Sequence, residues 1–114
     1  MLNLRHNKGL EMDEQQYEVL WPRGPRQTQL KPLAKRLDTL NGKTVAQLWD
    51  YLFRGDEMYA NLEEGLKARF PGIRLINWRE FGSTHGAEDK QVVASLPDRF
   101  RELGVDAVIS AIGC

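Results

Sequence analysis

The sequence predicts an α/β fold: a three-layer, Rossmann-like parallel sheet in the order β-α-β-α-β, incomplete, and preceded by an extended N-terminal arm. Three observations predict it. From Asn41 onward, short apolar runs alternate with longer segments whose apolar residues recur every three or four positions. The last run, Val105–Ile112, is near-continuously apolar, the pattern of a strand buried on both faces. The first 41 residues, by contrast, are polar and punctuated by proline. The chain therefore divides into an arm, residues 1–41, and a partial α/β domain, residues 42–114.

In the arm, Trp21-Pro22-Arg23-Gly24-Pro25 and Pro32 exclude a continuing helix or a central strand. A short strand is expected at Tyr17–Trp21. One or two helical turns are expected at Leu33–Leu40, where Leu33, Leu37 and Leu40 share a face. Trp21, Leu33 and Leu37 are the apolar anchors through which the arm is expected to lie on the body. Asn41-Gly42 signals a turn.

The first strand is expected at Lys43–Tyr51, with Val45, Leu48 and Trp49 as its bulk. A helix follows at Asp56–Phe70. Asp56 serves as its N-cap, and Met58, Tyr59, Leu62, Leu66 and Phe70 form its apolar stripe. Pro71-Gly72 ends it, and Ile73–Trp78 is the second strand. Phe81–Lys90 is a loop rich in glycine and small polar residues. The second helix, Asp89–Leu103, carries Val92, Val93, Leu96, Phe100 and Leu103 on one side; Pro97 is expected to kink or restart it, and Gly104 to stop it. Val105–Ile112 is the third strand.

Composition narrows the function classes. Sixteen Lys and Arg balance sixteen Asp and Glu for a net charge of +0, which speaks against a nucleic-acid binder or a polybasic membrane-surface protein. At 41% hydrophobic the chain is globular in character, and no apolar run approaches the roughly 20 residues of a membrane span. The start is polar after Leu4 and lacks the apolar core of a secretory signal, so the expected location is the cytoplasm. One cysteine, Cys114, excludes a disulfide framework within this sequence. His6 and His85 share no ligand spacing, so no metal site is predicted, and no cofactor is singled out.

A parallel sheet needs cover on both faces, yet three strands here have only two crossover helices. The sequence stops two residues past the third strand, where such folds turn into their next helix and place their ligands. The expectation is a front half whose remainder comes from a partner chain, or a truncated product. Part of Val105–Ile112 is then exposed, and the chain is expected as a homodimer, or as a heteromer with a chain carrying the missing half.

Three loops should meet at the carboxyl edge of the sheet. They carry Asp50, Arg54, Asp56 and Glu57; then Gly82-Ser83-Thr84-His85-Gly86; then Gly113-Cys114. His85, flanked by glycine, is a candidate proton shuttle, although many surface histidines have no such role. Arg54 is a candidate ligand for a carboxylate or phosphate, or else an ion-paired loop residue. Glu57 complements the helix dipole. Asp50, Arg54, Asp56, Glu57, Ser83 and Thr84 are the candidate substrate-binding residues, and Cys114 and His85 the candidate catalytic ones. Cys114 is either a nucleophile or a small apolar residue at a strand end. A terminal carboxylate beside its sulfur would disfavour the thiolate, and it has no resolving partner. Gly42-Lys43-Thr44 is not a phosphate-binding loop, because Leu37 stands where that motif needs glycine and the segment precedes its strand. Arg54-Gly55-Asp56 spells an adhesion tripeptide that has no weight without an export signal.

About two-thirds of the chain, from Leu40 to Cys114, resembles a bacterial family named for a U-G-S-C motif, in which selenocysteine or cysteine precedes Gly-Ser-Cys. The matching pieces are Leu40-Asn41-Gly42-Lys43-Thr44, Leu62-Glu63-Glu64 in a helix ending at Phe70-Pro71-Gly72, and Asp106-Ala107-Val108-Ile109 closing with Gly113-Cys114. The resemblance implies a thiol- or selenol-based, oxidoreductase-like activity on a small-molecule or thiol substrate, with the motif beginning just beyond this sequence. Read that way, the chain is the N-terminal part or small subunit of such an enzyme. It ends where reading a selenocysteine codon as a stop would end it, or where a split enzyme would divide. The alternatives are a non-catalytic subunit that completes a partner's sheet, and a small-molecule binding module.

Overall fold

The computed structural model describes residues 18–19, 22–24 and 28–113. They fall into two units that divide between Ala34 and Lys35. In the first unit the described residues form neither helix nor strand, and Val19, Leu30 and Leu33 are exposed. The strand expected at Tyr17–Trp21 and the anchor Trp21 lie outside the described residues. Leu33–Leu40 forms no helix. Eight residues are too few to nucleate a helix without a surface to pack on, and Leu33 and Leu37 are 89% and 39% exposed.

The second unit holds the sheet. Its elements are β1 (Thr44–Trp49), α1 (Gly55–Arg69), β2 (Arg74–Ile76), a short 3-10 turn (Trp78–Glu80), α2 (Asp89–Leu103) and β3 (Ala107–Ala111). The three strands are parallel in the order β2-β1-β3, with Thr44 opposite Arg74 and Val45 opposite Ala107. The β-α-β-α-β order and the parallel sheet are as the sequence predicts. Asn41-Gly42 makes the expected turn. Gly42 takes φ 72°, its N–H donates to the Gly72 carbonyl at 3.0 Å, and Asn41 Oδ1 accepts from Gly72 N–H at 3.1 Å.

The strand buried on both faces is β1, not β3. Every residue from Thr44 to Asp50 is buried, whereas β3 alternates between half-buried and exposed. The reason is topological: β1 has a neighbour on each side, and β3 is an edge. Val108 is 41% exposed, and Ile112, just past the strand, 75%.

Successive β1 side chains point to opposite faces. Ala46 and Leu48 pack with Phe81 and with Leu96, Phe100 and Leu103 of α2. Trp49 packs on the other face with Tyr59 of α1 and with Trp78, flanked by Phe53, Ile109 and Ala111. Helix, sheet and helix are thus the three layers. The buried Gln47 faces α1 and donates from Nε2 to Glu63 Oε1 at 2.9 Å.

Local chemistry sets the helix ends. α1 starts one residue earlier than expected. Arg54, not Asp56, is the N-cap residue, and no side chain caps it; Asp56 and Glu57 lie in the first turn, where negative charge suits the dipole. α2 runs as one helix through Pro97, so of the kink or restart expected there the restart does not occur. Pro97 has no N–H to donate to the carbonyl of Val93, a residue 52% exposed. Gly104 ends α2 at φ 63°, as expected of a glycine there. The second strand is shorter than predicted, because Asn77 caps the 3-10 turn by accepting from Arg79 N–H at 3.0 Å.

Tyr59 ties α1 to the sheet. Its hydroxyl lies 2.5 Å from the Leu48 carbonyl and 2.9 Å from that of Ile109. Burial raises its pKa above the ordinary 10.0, and its backbone hydrogen bonds act the other way. Tyr59→Phe is expected to cost about 1 kcal/mol, a fall in Tm of roughly 4–8 °C. The raised pKa means that the unfolded chain ionises first. This contribution is therefore complete below 10.0 and is lost as pH rises through the folded value. Thermal melts from pH 8 to 11 should show a steeper alkaline loss in the wild type than in Tyr59→Phe.

Candidate functional site

Three segments converge at the carboxyl edge of the sheet, and Asp50 stands where they meet. β2 is three residues long and leaves the second half of β1 without that neighbour. The loop after the 3-10 turn takes its place: Ser83 bridges Trp49 in parallel fashion, and Thr84 N–H donates to the Trp49 carbonyl at 3.2 Å. Ser83 Oγ donates within reach of two carbonyls, Asp50 at 3.2 Å and His85 at 2.7 Å, and accepts from His85 N–H at 3.2 Å. Gly82 and Gly86 take φ 86° and 116°, conformations that glycine allows at this bend.

On the β1–β3 side, Asp50 is 4% exposed, and its carboxylate accepts two backbone N–H bonds, from Leu52 at 3.1 Å and from Gly113 at 2.6 Å. Between Asp50 and Leu52, Tyr51 takes φ 64°, the only positive φ of a non-glycine among the described residues. The Asp50–Leu52 bond closes the side-chain turn that sustains this backbone. The ring of Tyr51 lies against Trp49 and Trp78, with centroids 4.8 and 5.2 Å away.

These segments border a groove of about 480 Å³ on the α2 face of β3. Leu48, Leu52, Val93, Leu96 and Ile112 form its apolar walls, and Asp50, Thr84, His85 and Ser110 its polar points. Among the described residues no Lys or Arg lines it. Such a groove accepts a small, weakly charged molecule more readily than a phosphate. A second groove, of about 460 Å³, lies on the opposite face of β3 and is walled by Met58, Tyr59, Asn61, Leu62, Ile109 and Ala111.

Of the residues the sequence singles out, Asp50, Ser83, Thr84 and His85 come together here. Arg54, Asp56 and Glu57 do not line the groove. They are exposed at the start of α1, where Arg54 pairs with Glu57 at 2.5 Å. Cys114 lies outside the described residues. Sequence reasoning missed Tyr51 and Ser110. Ser110 was within reach, since period-two alternation puts it on one face with Val108 and Ile112. The positive φ of Tyr51 has no signature in the residue itself. Among the described residues no cluster of His, Cys, Asp and Glu is suited to a metal ion, and no helix is long and apolar enough to cross a membrane.

Residues 18–114 match the model of the UGSC family. No curated protein and no solved structure matches the chain.

Proposed function

The chain belongs to the UGSC family, and from that premise we propose that it forms the N-terminal part or small subunit of a thiol- or selenol-dependent, redox-type enzyme acting on a small molecule. The observation that carries this reading is the convergence of Asp50, Thr84, His85 and Gly113 on one groove at the carboxyl edge of a parallel sheet. That edge is where α/β folds of this kind hold their ligands. In this reading the aliphatic walls hold the substrate and His85, exposed at the rim, moves protons. The reactive sulfur or selenium comes from the segment that follows Gly113, and the cytoplasm is the compartment proposed.

A second reading is favoured by a separate observation. The edge strand β3 exposes Val108 on one face and borders an apolar groove on the other. A subunit whose role is to complete a partner's sheet would present such a strand.

One pair of measurements separates the two. Thiol–disulfide exchange is assayed for the chain alone and for the chain joined to, or mixed with, a segment bearing Cys-Gly-Ser-Cys. The chain alone has a single thiol and is expected to show no appreciable turnover. The combined protein is expected to turn over and to lose that activity on His85→Ala. Activity of the combined protein that ignores His85 removes the role given to that residue. Association without any thiol-linked activity replaces the first reading with the second.

A further inference from the structure

We propose that Asp50 is a positioning residue: its buried carboxylate carries the β1–β3 ladder one rung past the strands and fixes where the chain leaves the sheet. The ladder itself shows this. Trp49 stands opposite Ala111, and Asp50 N–H donates to the Ala111 carbonyl at 3.4 Å. In a parallel pair the next rung would run from Gly113 N–H to the Asp50 carbonyl. That carbonyl instead has Ser83 Oγ within 3.2 Å, a hydroxyl it shares with the His85 carbonyl. Gly113 N–H donates to the Asp50 side chain, Oδ2, at 2.6 Å. The side chain has taken over the acceptor role of its own backbone.

The other carboxylate oxygen accepts from Leu52 N–H and holds the bend at Tyr51 that turns the first loop away from the strand. A carboxylate this buried is costly unless its charge is met. Among the described residues no Lys or Arg forms an ion pair with Asp50. Two backbone N–H groups meet the charge, and one of them belongs to the exit from β3. Gly113 is also held from its other side: a Cβ there would stand 2.7 Å from Cδ1 of the Phe53 ring. The exit point is therefore fixed by a charge-assisted bond and by close packing together.

The reading under Proposed function gives this placement its purpose, since the reactive segment follows Gly113; the placement itself stands on the hydrogen bonds alone. The fold contains a control. At the amino end of the same ladder Asp106 Oδ2 accepts from Thr44 N–H at 2.9 Å, while Asp106 N–H donates to the Thr44 carbonyl at 2.8 Å. That carboxylate closes the ladder without touching the exit.

The test uses the full chain and two readouts. The first is hydrogen exchange of the Gly113 amide by NMR. The second is the rate at which Cys114, the single cysteine, reacts with Ellman's reagent. In Asp50→Asn an amide replaces one acceptor oxygen with a donor, and Gly113 exchange is expected to quicken about tenfold or more, the scale of a lost charge-assisted bond. The Cys114 rate is expected to change with it, by roughly threefold or more on the same scale. Asp50→Glu keeps the charge on a longer stem and should restore both in part; it also serves if Asp50→Asn does not fold. Asp106→Asn should lower Tm and leave both readouts at wild-type values. Wild-type Gly113 exchange in Asp50→Asn overturns the proposal, as does an equal effect from Asp106→Asn. If Asp50→Asn frees Gly113 but no thiol- or selenol-linked turnover is ever found, the positioning stands and the redox reading falls.

Discussion

Trp49→Ala is expected to destabilise the protein by about 3–5 kcal/mol, the range for emptying a large aromatic site in a core. The indole stands at the centre of the α1-side layer. Its ring lies 4.7 Å from that of Trp78, 4.8 Å from Tyr51 and 6.0 Å from Phe53, all tilted or edge-on. Each such pair is worth about 0.5–1.5 kcal/mol beyond area burial. The elements that bring these rings together are separate: the end of β1, the first loop and the 3-10 turn. Little in the surroundings can collapse into the space, because Trp78 and Tyr59 are themselves buried and Tyr59 is tied to the Leu48 carbonyl. A small domain has a total stability of about 5–15 kcal/mol, so a large share would be lost. Trp49→Phe should cost clearly less. It keeps a ring, and it removes a buried indole N–H that has no hydrogen-bond partner among the described residues. Urea unfolding followed by far-ultraviolet circular dichroism measures both variants; a loss below about 1.5 kcal/mol for Trp49→Ala would show that the cluster does not carry the layer.

The second large effect lies one contact away. A glycine inside a helix is ordinarily improved by alanine, by about 0.5–1 kcal/mol. Gly55 should behave in the opposite way. A Cβ at Gly55 would stand 2.4 Å from Nε1 of Trp49 and 2.5 Å from Cε2. The indole is 8% exposed and cannot swing away. Gly55→Ala is therefore expected to destabilise by about 1–3 kcal/mol, as overpacking does. The mechanism is tested by changing the sign. In a Trp49→Leu background the clash is gone, and Gly55→Ala should become neutral or stabilising. A penalty of equal size in both backgrounds would place the cause in the backbone rather than in the ring.

The parts of this fold that were legible in the sequence are those governed by local chemistry. α2 runs over Asp89–Leu103 as its apolar spacing and its terminal Gly104 indicate. The Asn41-Gly42 turn and the three parallel strands follow in the same way. What escaped the sequence depends on which elements are neighbours. The apolar run of β3 suggests a central strand. The sheet order makes the more polar β1 central instead, with Gln47 and Asp50 buried through specific hydrogen bonds. α1 starts at Gly55, in close approach to Trp49, and Asp56, the candidate cap, lies inside its first turn. Loop position grouped Asp50, Ser83, Thr84 and His85, which the fold brings near one another, with Arg54, Asp56 and Glu57, which it leaves at the start of α1. Asp50 as an acceptor for Gly113, 63 residues away, has no local signal.

The two aspartates that close the ends of the β1–β3 ladder also bear on the chain entropy of assembly. Pairing β1 with β2 closes a loop of about 30 residues, while pairing it with β3 closes one of 62. Doubling a flexible loop adds only about 0.6 kcal/mol to its closure. A hydrogen bond to a charged group contributes about 1.5–3 kcal/mol, so either Asp50 or Asp106 alone offsets the extra distance. The central strand therefore gains its remote neighbour on nearly equal terms with its near one. The two carboxylates also hold the pairing to one register, because a slip of a single residue would part both from their N–H groups and make Val108 and Ile109 exchange faces.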